Sequence, residues 1–313
     1  MDQLTEKEIT VKVPASSANI GPGFDTVGLA LSLYATFVFR ILRGNDDSPV
    51  LTIAKGKGLD AIAPDENLAY KIFKDLWQGG DDSLSRLRLQ ITTDIPMGRG
   101  LGSSSTAVLA AVCAARAFNL YSLDKSLILR DACRYEGHAD NLSACLYGGL
   151  TLCGSGTARD VIVQRMSWPD EWQTSIIVPE RPLLTHEARK VLPKTIAMAD
   201  AISNIQNVSL FLAAVQKKDA ALAAKTLFDK LHEPYRMHLV PELGSLQKEL
   251  RNAPVIGCVL SGAGSSILII YEQKHRAEVI ARLKDWQQRN PAPTDLLNLD
   301  VDRQGLIYEL QTN

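Results

Sequence analysis

The order of apolar and polar positions divides the chain into mixed strand and helix segments from one end to the other. "EITVKV" alternates, "LALSLYATFVFRIL" is aromatic and β-branched with few breakers, and "PVLTIAKG" follows a turn-rich "RGNDDSP", so three strands are predicted in the first 55 residues. A loop, "PASSANIGPGFD", separates the first two. Helical spacing over 67–77 precedes "LRLQITTDI", in which Leu87, Leu89 and Ile91 alternate with Arg88, Gln90 and Thr92 as a half-buried strand requires. Residues 105–118, "STAVLAAVCAARAF", are apolar nearly all round and predict a buried helix. A further helix is expected from 122–124 to about Tyr135, and strands in "LTLCG" and "DVIVQRM".

"WPDEW" (168–172) marks the boundary expected between two domains, 1–168 and 169–313. Beyond it the pattern predicts a strand "TSIIVPE", helices from 185 to about 230, a turn "HEPYR" and a helix over 242–251. The strands "VIGCVLSG" and "SILIIYE", a helix over 276–286 and a strand-like pair near the C-terminus complete it. Strands and helices mix in both halves without regular βαβ alternation, which favours α+β over a doubly wound parallel sheet.

Composition narrows the partners. Thirty-four lysines and arginines nearly cancel 35 aspartates and glutamates, so no global field draws in nucleic acid or an anionic membrane, and a small molecule is the expected partner. The five cysteines are odd in number and show no C-x-x-C spacing, which fits free thiols in a reducing, cytoplasmic compartment. The first ten residues carry no apolar core, and the longest apolar run, 107–115, is far short of the ~20 residues of a spanning helix. A protein neither secreted nor membrane-spanning is expected.

The candidate chemistry lies in "GRGLGSSSTA" (98–107), which joins a predicted strand to a helix N-terminus. Unpaired N–H groups and the macrodipole make such a terminus attractive to anions. Glycines let the main chain approach a phosphate, and hydroxyls add donors that also suit a divalent cation. The loop has neither the G-x-x-x-x-G-K-[ST] nor the G-x-G-x-x-G pattern, so it reads as a phosphate cradle of a third kind, or as a serine-capped connection. "EGHADN" lacks a second histidine or cysteine at ligand spacing. "HEPYRMH" is not H-E-x-x-H, and no G-x-S-x-G elbow is present, so zinc and serine-hydrolase chemistry are set aside.

"PMGRGLGSSSTA" (96–107) resembles the P-x-x-x-G-L-G-S-S loop of the GHMP small-molecule kinases. "PASSANIGPGFDTVGLAL" (14–31) is similar to that family's N-terminal motif, and "GCVLSGAGSSILII" (257–270) to its C-terminal glycine-rich motif. The resemblance implies the two-domain GHMP kinase fold, α+β, with an N-terminal unit like ribosomal protein S5 domain 2 and a ferredoxin-like C-terminal unit. It also implies ATP-dependent phosphorylation of a small alcohol. The wording of the first block, together with "EGHADN" (136–141), "LTHEARKVLP" (184–193) and "HEPYRMHLVP" (232–241), resembles the homoserine kinases of the family more than its sugar or mevalonate kinases. L-homoserine is then the implied acceptor, on the route to threonine, and a homodimer the implied assembly. Ser105-Thr106 and Ala139 depart from the residues common at those places.

Carried onto this chain, the resemblance implies that Pro96, Gly98, Arg99, Gly100, Leu101, Gly102, Ser103, Ser104 and Ser105 hold ATP, with Asn67 near the adenine. Mg²⁺ would lie on Ser104 and an acid, Glu136 or else Asp131. Arg189 and Arg236 would grip the substrate carboxylate, Asn19 and Asp25 its amino and hydroxyl end, and His138 and Thr185 would line the acceptor pocket. The catalytic set would be Asp140, Asn141, His138 and Asn19, with the proton taken either by Asp140 or by the γ-phosphate. A kinase of another alcohol of mevalonate or sugar type, or a non-catalytic ligand-binding member, remain the alternatives.

Overall fold

The computed structural model describes residues 7–42, 50–56, 63–156 and 161–312; the turn expected at 43–49 lies outside them. The strands are β1 (Lys7–Ala18), β2 (Val27–Ile41), β3 (Leu51–Lys55), β4 (Leu87–Thr93), β5 (Leu150–Ser155), β6 (Val161–Met166), β7 (Trp172–Pro179), β8 (Val255–Leu260), β9 (Ile267–Glu272), β10 (Thr294–Leu299) and β11 (Ile307–Thr312). The helices of the first half are α1 (Leu68–Leu76), α2 (Asp81–Ser85), α3 (Ser103–Phe118), α4 (Lys125–Ala132) and α5 (Asp140–Tyr147). Those of the second are α6 (Thr185–Lys190), α7 (Met198–Lys217), α8 (Ala220–Ala224), α9 (Glu233–Arg236), α10 (Pro241–Glu249) and α11 (Arg276–Arg289).

Two sheets carry the α+β fold. The first runs β11-β1-β2-β4-β3, with β5 joined to the start of β2 and β6 to β5. The second, β10-β7-β9-β8, is antiparallel throughout and has the order and connectivity of a ferredoxin-like βαββαβ unit. β7 opens that sheet at Trp172, the last residue of "WPDEW". The C-terminal strands do not form a pair. β10 joins β7, whereas β11 returns to the first sheet and pairs with β1 from Lys7↔Thr312 to Lys12↔Ile307. Such pairings are set by long-range packing, which local alternation does not encode.

α3 is buried on nearly every side because it lies between the first sheet and α1, α4 and α5. It begins two residues earlier than its apolar pattern suggests. Gly102, at φ +72°, stops the preceding loop in the left-handed region, and Ser103 and Ser104 supply the first turn. Phe73 of α1 stacks on Phe39 at 5.2 Å and meets Phe118 edge-on at 5.8 Å, which fixes α1 and α3 against β2. The second sheet is covered on both faces. Ile267, Ile269 and Tyr271 pack on α10 and α11, while Leu268 and Ile270 join the core that continues into the first half. Among the described residues no helix is long and apolar enough to cross a membrane.

Two local assignments differ from the sequence pattern. "HEPYR" winds into the helical turn α9, because the Asp229 carboxylate accepts from the N–H groups of Leu231 (3.1 Å), His232 (2.7 Å) and Glu233 (2.7 Å), and Pro234 presets the helical φ. The segment after "EGHA" forms α5, whose apolar face of Leu142, Cys145 and Leu146 is interrupted by polar neighbours in sequence. α5 lies flat on β2 at Gly28, where a Cβ would fall 2.2 Å from the carbonyl oxygen of Asp140 and 3.0 Å from the Ala144 methyl. Gly28→Ala is therefore expected to lower the free energy of urea unfolding by about 1–3 kcal/mol through overpacking. Gly154→Ala, where the added methyl meets nothing within 4 Å, is expected to stay within about 0.5 kcal/mol of the parent.

Candidate active site

A cavity of about 590 Å³ opens where the loop before α3 meets the N-terminus of α5, the 19–25 loop, α6 and the 261–266 turn. Its floor is the loop first singled out in the sequence. Gly98, Gly100 and Gly102 all sit at positive φ, and the loop is held from three sides. Ser16 N–H donates to Leu101 O (3.1 Å), Ser266 N–H to Arg99 O (3.0 Å) and Leu183 N–H to Gly98 O (2.8 Å). Gly100 has no alternative. A Cβ there would lie 2.2 Å from the carbonyl oxygen of Ser261. The first backbone bond of α3 runs from Thr106 N to Gly102 O (3.0 Å), and no side chain caps the helix. The N–H groups of 103–105 are thus left for an anion at the positive end of a 16-residue helix.

Beside this terminus the Ser105 hydroxyl donates to the Glu136 carboxylate (2.6 Å), and both line the cavity with Ser103 and the exposed Ser104. Asp131, the other acid considered, is bound by Arg116 and lies outside the lining. No group of three histidine, cysteine or acidic side chains is placed to hold a metal ion among the described residues. One carboxylate with neighbouring hydroxyls does fit Mg²⁺, a hard cation that keeps several waters and is completed by substrate phosphates. The hydroxyl that meets Glu136 is that of Ser105 rather than Ser104. On the far side, Ala35, Phe37, Ile91 and Ile95 give the cavity an apolar wall suited to a planar base.

The opposite end is charged. Arg189 of α6 holds Asp25 through two parallel bonds, Nη2 to Oδ1 (2.7 Å) and Nη1 to Oδ2 (3.1 Å), with both side chains more than a third exposed. Arg236 is buried. Its Nε donates to Ala188 O (3.1 Å), and its Nη1 to His232 Nδ1 and Gly262 O (both 3.3 Å). Among the described residues Nη2 has no acceptor, and Arg236 lines the cavity. Burial, and then the neighbouring Arg189, pull this guanidinium down to about 10. Asn19 spans the gap between halves, accepting from Asp25 N–H (3.0 Å) and donating to Gly262 O (2.8 Å). Thr185 opens α6 at the cavity rim.

Between the two ends lies Asp140, buried at the first position of α5. Its Oδ1 takes bonds from His138 Nδ1 (2.9 Å) and Asn141 N–H (2.8 Å), which leaves Oδ2 without a hydrogen bond among the described residues. The bond to Asp140 raises the His138 imidazole above its ordinary value against the opposing effect of burial. Asn141 Oδ1 accepts from the Ser16 hydroxyl (2.8 Å), tying α5 to β1.

The cavity brings together nearly all the residues that the resemblance singles out. Pro96 and Arg99 lie outside its lining. Arg99 instead bonds the carbonyl oxygens of Met97, Pro179 and Glu180 and pins the loop to the end of β7. Asn67 lines the cavity but also caps α1, accepting from Tyr70 N–H (3.1 Å). Residues with no role expected from sequence also contribute. Ser261 Oγ joins Ser17 Oγ (2.9 Å) to Gly100 O (2.8 Å), and Phe24 stacks on His232 at 5.2 Å. "HEPYR" carried the signal for His232.

Known proteins resemble the chain over most of its length. The family described as GHMP kinases N terminal domain matches residues 67–149, and that described as GHMP kinases C terminal matches 211–287. The chain is 36% identical over 282 residues to a homoserine kinase of Prochlorococcus marinus (strain MIT 9515), covering 90% of each chain. It is 34% identical over 300 residues to a homoserine kinase of Nostoc punctiforme, covering 95% of this chain and 97% of the other. The crystal structure of homoserine kinase from Cytophaga hutchinsonii superposes with a TM-score of 0.80 at 26% identity, over 96% of this chain and 97% of that one.

The His138–Asp140 pair has a measurable signature. By NMR titration His138 is expected to titrate above the ordinary imidazole value of about 6.5, and Asp140→Asn to bring it down, because the largest cause of the rise is removed. A raised folded pKa contributes stability that is full below the unfolded value and is lost as pH rises through the folded one. The stability deficit of His138→Gln should therefore narrow with increasing pH across that interval.

Proposed function

Because the chain belongs to the GHMP kinase family, within it to the homoserine kinases, we propose that it transfers the γ-phosphoryl group of ATP to the side-chain hydroxyl of L-homoserine. The products are O-phospho-L-homoserine and ADP, which places the reaction on the route to threonine. One observation carries the choice of substrate: the cavity that holds the open N-terminus of α3 also holds a buried arginine with an unused donor edge and an aspartate within reach of it. A free amino acid offers the matching carboxylate and ammonium. An acceptor with a carboxylate but no ammonium group would draw Arg189 from Asp25 and give Asp25 no partner in return, and an uncharged one would leave the Arg236 Nη2 edge unmet. Mevalonate-type and sugar-type acceptors are thereby disfavoured. The serines, Glu136 and both arginines are all present, which disfavours a non-catalytic member.

In this reading the N–H groups at the start of α3 and the backbone of 98–102 hold the phosphates, and the apolar wall of Phe37, Ile91 and Ile95 takes the adenine. Glu136 and Ser105, with Ser104 beside them, would hold Mg²⁺, which when bound neutralises charge on the phosphates. Arg236 Nη2 and Arg189 take the substrate carboxylate, while Asp25 turns from Arg189 toward the ammonium group. The hydroxyl oxygen then attacks the γ-phosphorus as the bond to the β-phosphate oxygen breaks, and ADP leaves with that electron pair. Asp140 Oδ2 receives the hydroxyl proton. Its other oxygen is fixed by His138 and by the Asn141 N–H, so the free oxygen is already oriented. Asn19 and Asn141 act by holding the walls of the pocket.

Burial pushes the Cys113, Cys145 and Cys153 thiols up to about 12, and all five cysteines are free. Inert thiols of this kind support a reducing, cytoplasmic location. A homodimer belongs to the same reading, and light scattering coupled to size exclusion measures it.

The test is ADP release with ATP and Mg²⁺, offering L-homoserine, mevalonate, galactose and L-threonine separately. Turnover confined to L-homoserine is expected, and turnover with mevalonate or galactose instead would overturn the assignment of Arg189, Arg236 and Asp25. Asp140→Asn is expected to lower kcat by ~10² or more with little change in either KM. A kcat within a few-fold of the parent would hand the proton to the γ-phosphate.

A further inference from the structure

His232 does not itself line the cavity, yet it sits at the centre of the contacts that orient Arg236, which does. The side chain is fully buried. Its Nδ1 lies 3.3 Å from Arg236 Nη1, and its Nε2 lies 2.9 Å from the carbonyl oxygen of Gly21. A guanidinium only donates and a carbonyl oxygen only accepts. Both contacts are hydrogen bonds in one protonation state alone, with Nδ1 bare and Nε2 carrying the proton. The imidazolium would turn an N–H toward the Arg236 N–H group, and the other neutral tautomer would lose both bonds.

We propose that His232, as the neutral imidazole protonated on Nε2, is a positioning residue that orients Arg236 so that its Nη2 edge meets the carboxylate of the amino-acid substrate. The proposal rests on the reading of the cavity as an amino-acid kinase site. Three acceptors occupy Nε and Nη1: Ala188 O, His232 Nδ1 and Gly262 O. Of these only the imidazole nitrogen is a side-chain atom, and so can be removed by mutation without moving the backbone. The ring is itself held by Phe24, stacked at 5.2 Å with 21° between planes, and both Arg189 and Arg236 lie over the Phe24 ring, at 5.7 and 5.5 Å. One imidazole thus links the 19–25 loop, through Gly21 and Phe24, to the arginine.

The charged groups around His232 bear on its protonation. Asp229, from the preceding loop, has Oδ2 at 3.7 Å from Nε2 and favours the charged form, as does Asp25 across Phe24. Arg236 on the same turn opposes it, and Glu233 beside it is itself buried and pushed up to about 8. Burial is the largest influence and lowers the imidazole pKa. The neutral form that the geometry requires is therefore also the one the surroundings favour.

Two measurements test this. The ¹⁵N spectrum of wild-type protein labelled at histidine should show His232 with a bare Nδ1 and a protonated Nε2 near neutral pH; a protonated Nδ1 overturns the proposal. His232→Gln, whose amide reaches the place of Nε2 but puts no acceptor at the place of Nδ1, should raise the KM for L-homoserine about tenfold while the KM for ATP and kcat change about twofold or less. His232→Asn, whose Oδ1 replaces Nδ1, should recover most of that loss. An unchanged homoserine KM in His232→Gln, or an equal rise of both KM values in the two variants, overturns the proposal in favour of a purely structural histidine. Wild-type protein that turns over another substrate but not L-homoserine removes the functional reading instead, and the ¹⁵N spectrum then judges the Arg236 contact by itself.

Discussion

The site depends on one backbone contact, that of the 98–102 loop with the 261–266 turn. Gly100 lies so close to the carbonyl oxygens of Ser261 and Gly264 that no side chain fits, at 2.2 and 2.8 Å from where a Cβ would stand. Ser261 Oγ then bonds Gly100 O and Ser17 Oγ together, so the loop, β1 and the second sheet meet at one hydroxyl. An anion-binding helix end works only if its N–H groups stay where the anion will be, because reorganisation at the moment of binding subtracts from affinity. Here the loop is clamped between two sheets. α3 itself is buried from Val108 to Phe118, so the open terminus rests on the packed part of the molecule.

The charged end is built on a different balance. Arg236 is removed from water, and a cation so placed is strongly destabilising unless its donors are met. The protein meets Nε and Nη1 and leaves Nη2, which makes a carboxylate the natural completion of the set. Arg189 and Asp25 are instead more than a third exposed, and in the absence of substrate each satisfies the other. On the proposed reading a zwitterion would exchange one ion pair for two, and a ligand bearing only one of the charges would break the pair without replacing it. Discrimination then comes from the partner left behind as much as from the partner gained.

Much of this was legible in the chain, for identifiable reasons. The alternation of β1, β2 and β4 and the unbroken apolar run of α3 are local patterns, and local patterns name local elements. The glycine-serine loop and Asp25 could be singled out because three blocks resemble a family in order, and Asp140, Arg189 and Arg236 because three further stretches resemble one branch of it; the fold gathers them round one cavity. β11 was hidden as a partner of β1, since nothing in "LIYELQT" states which edge it will join. α9 was hidden because its helix is held by Asp229, which lies before the turn rather than in it. His232 was passed over for a related reason: a histidine earns a role from the atoms at its two nitrogens, and those belong to Gly21 and Arg236, one of them more than 200 residues away. Arg99 shows the converse. A cation in a phosphate loop invites a phosphate, but the carbonyl oxygens at the end of β7 and just beyond it claim this one.

The 19–25 loop shows where the fold accepts strain. Asn19, Ile20 and Asp25 all have positive φ, at 70°, 45° and 52°, and Ile20 is β-branched. Each such residue costs on the order of 1–3 kcal/mol and persists only when its surroundings over-determine it. The surroundings here do so from both halves. Asn19 bonds Gly262, His232 bonds Gly21, and Asn204 of α7 donates to Pro22 O at 2.7 Å while accepting from Lys230 N–H at 2.9 Å. Ile20 is itself completely buried. A relaxed loop would carry Asp25 and Phe24 away from the arginines, and the substrate would then have to supply the ordering. Strain held by the folded core moves that cost from the binding step to folding, and it leaves the carboxylate of Asp25 fixed beside the Arg189 guanidinium.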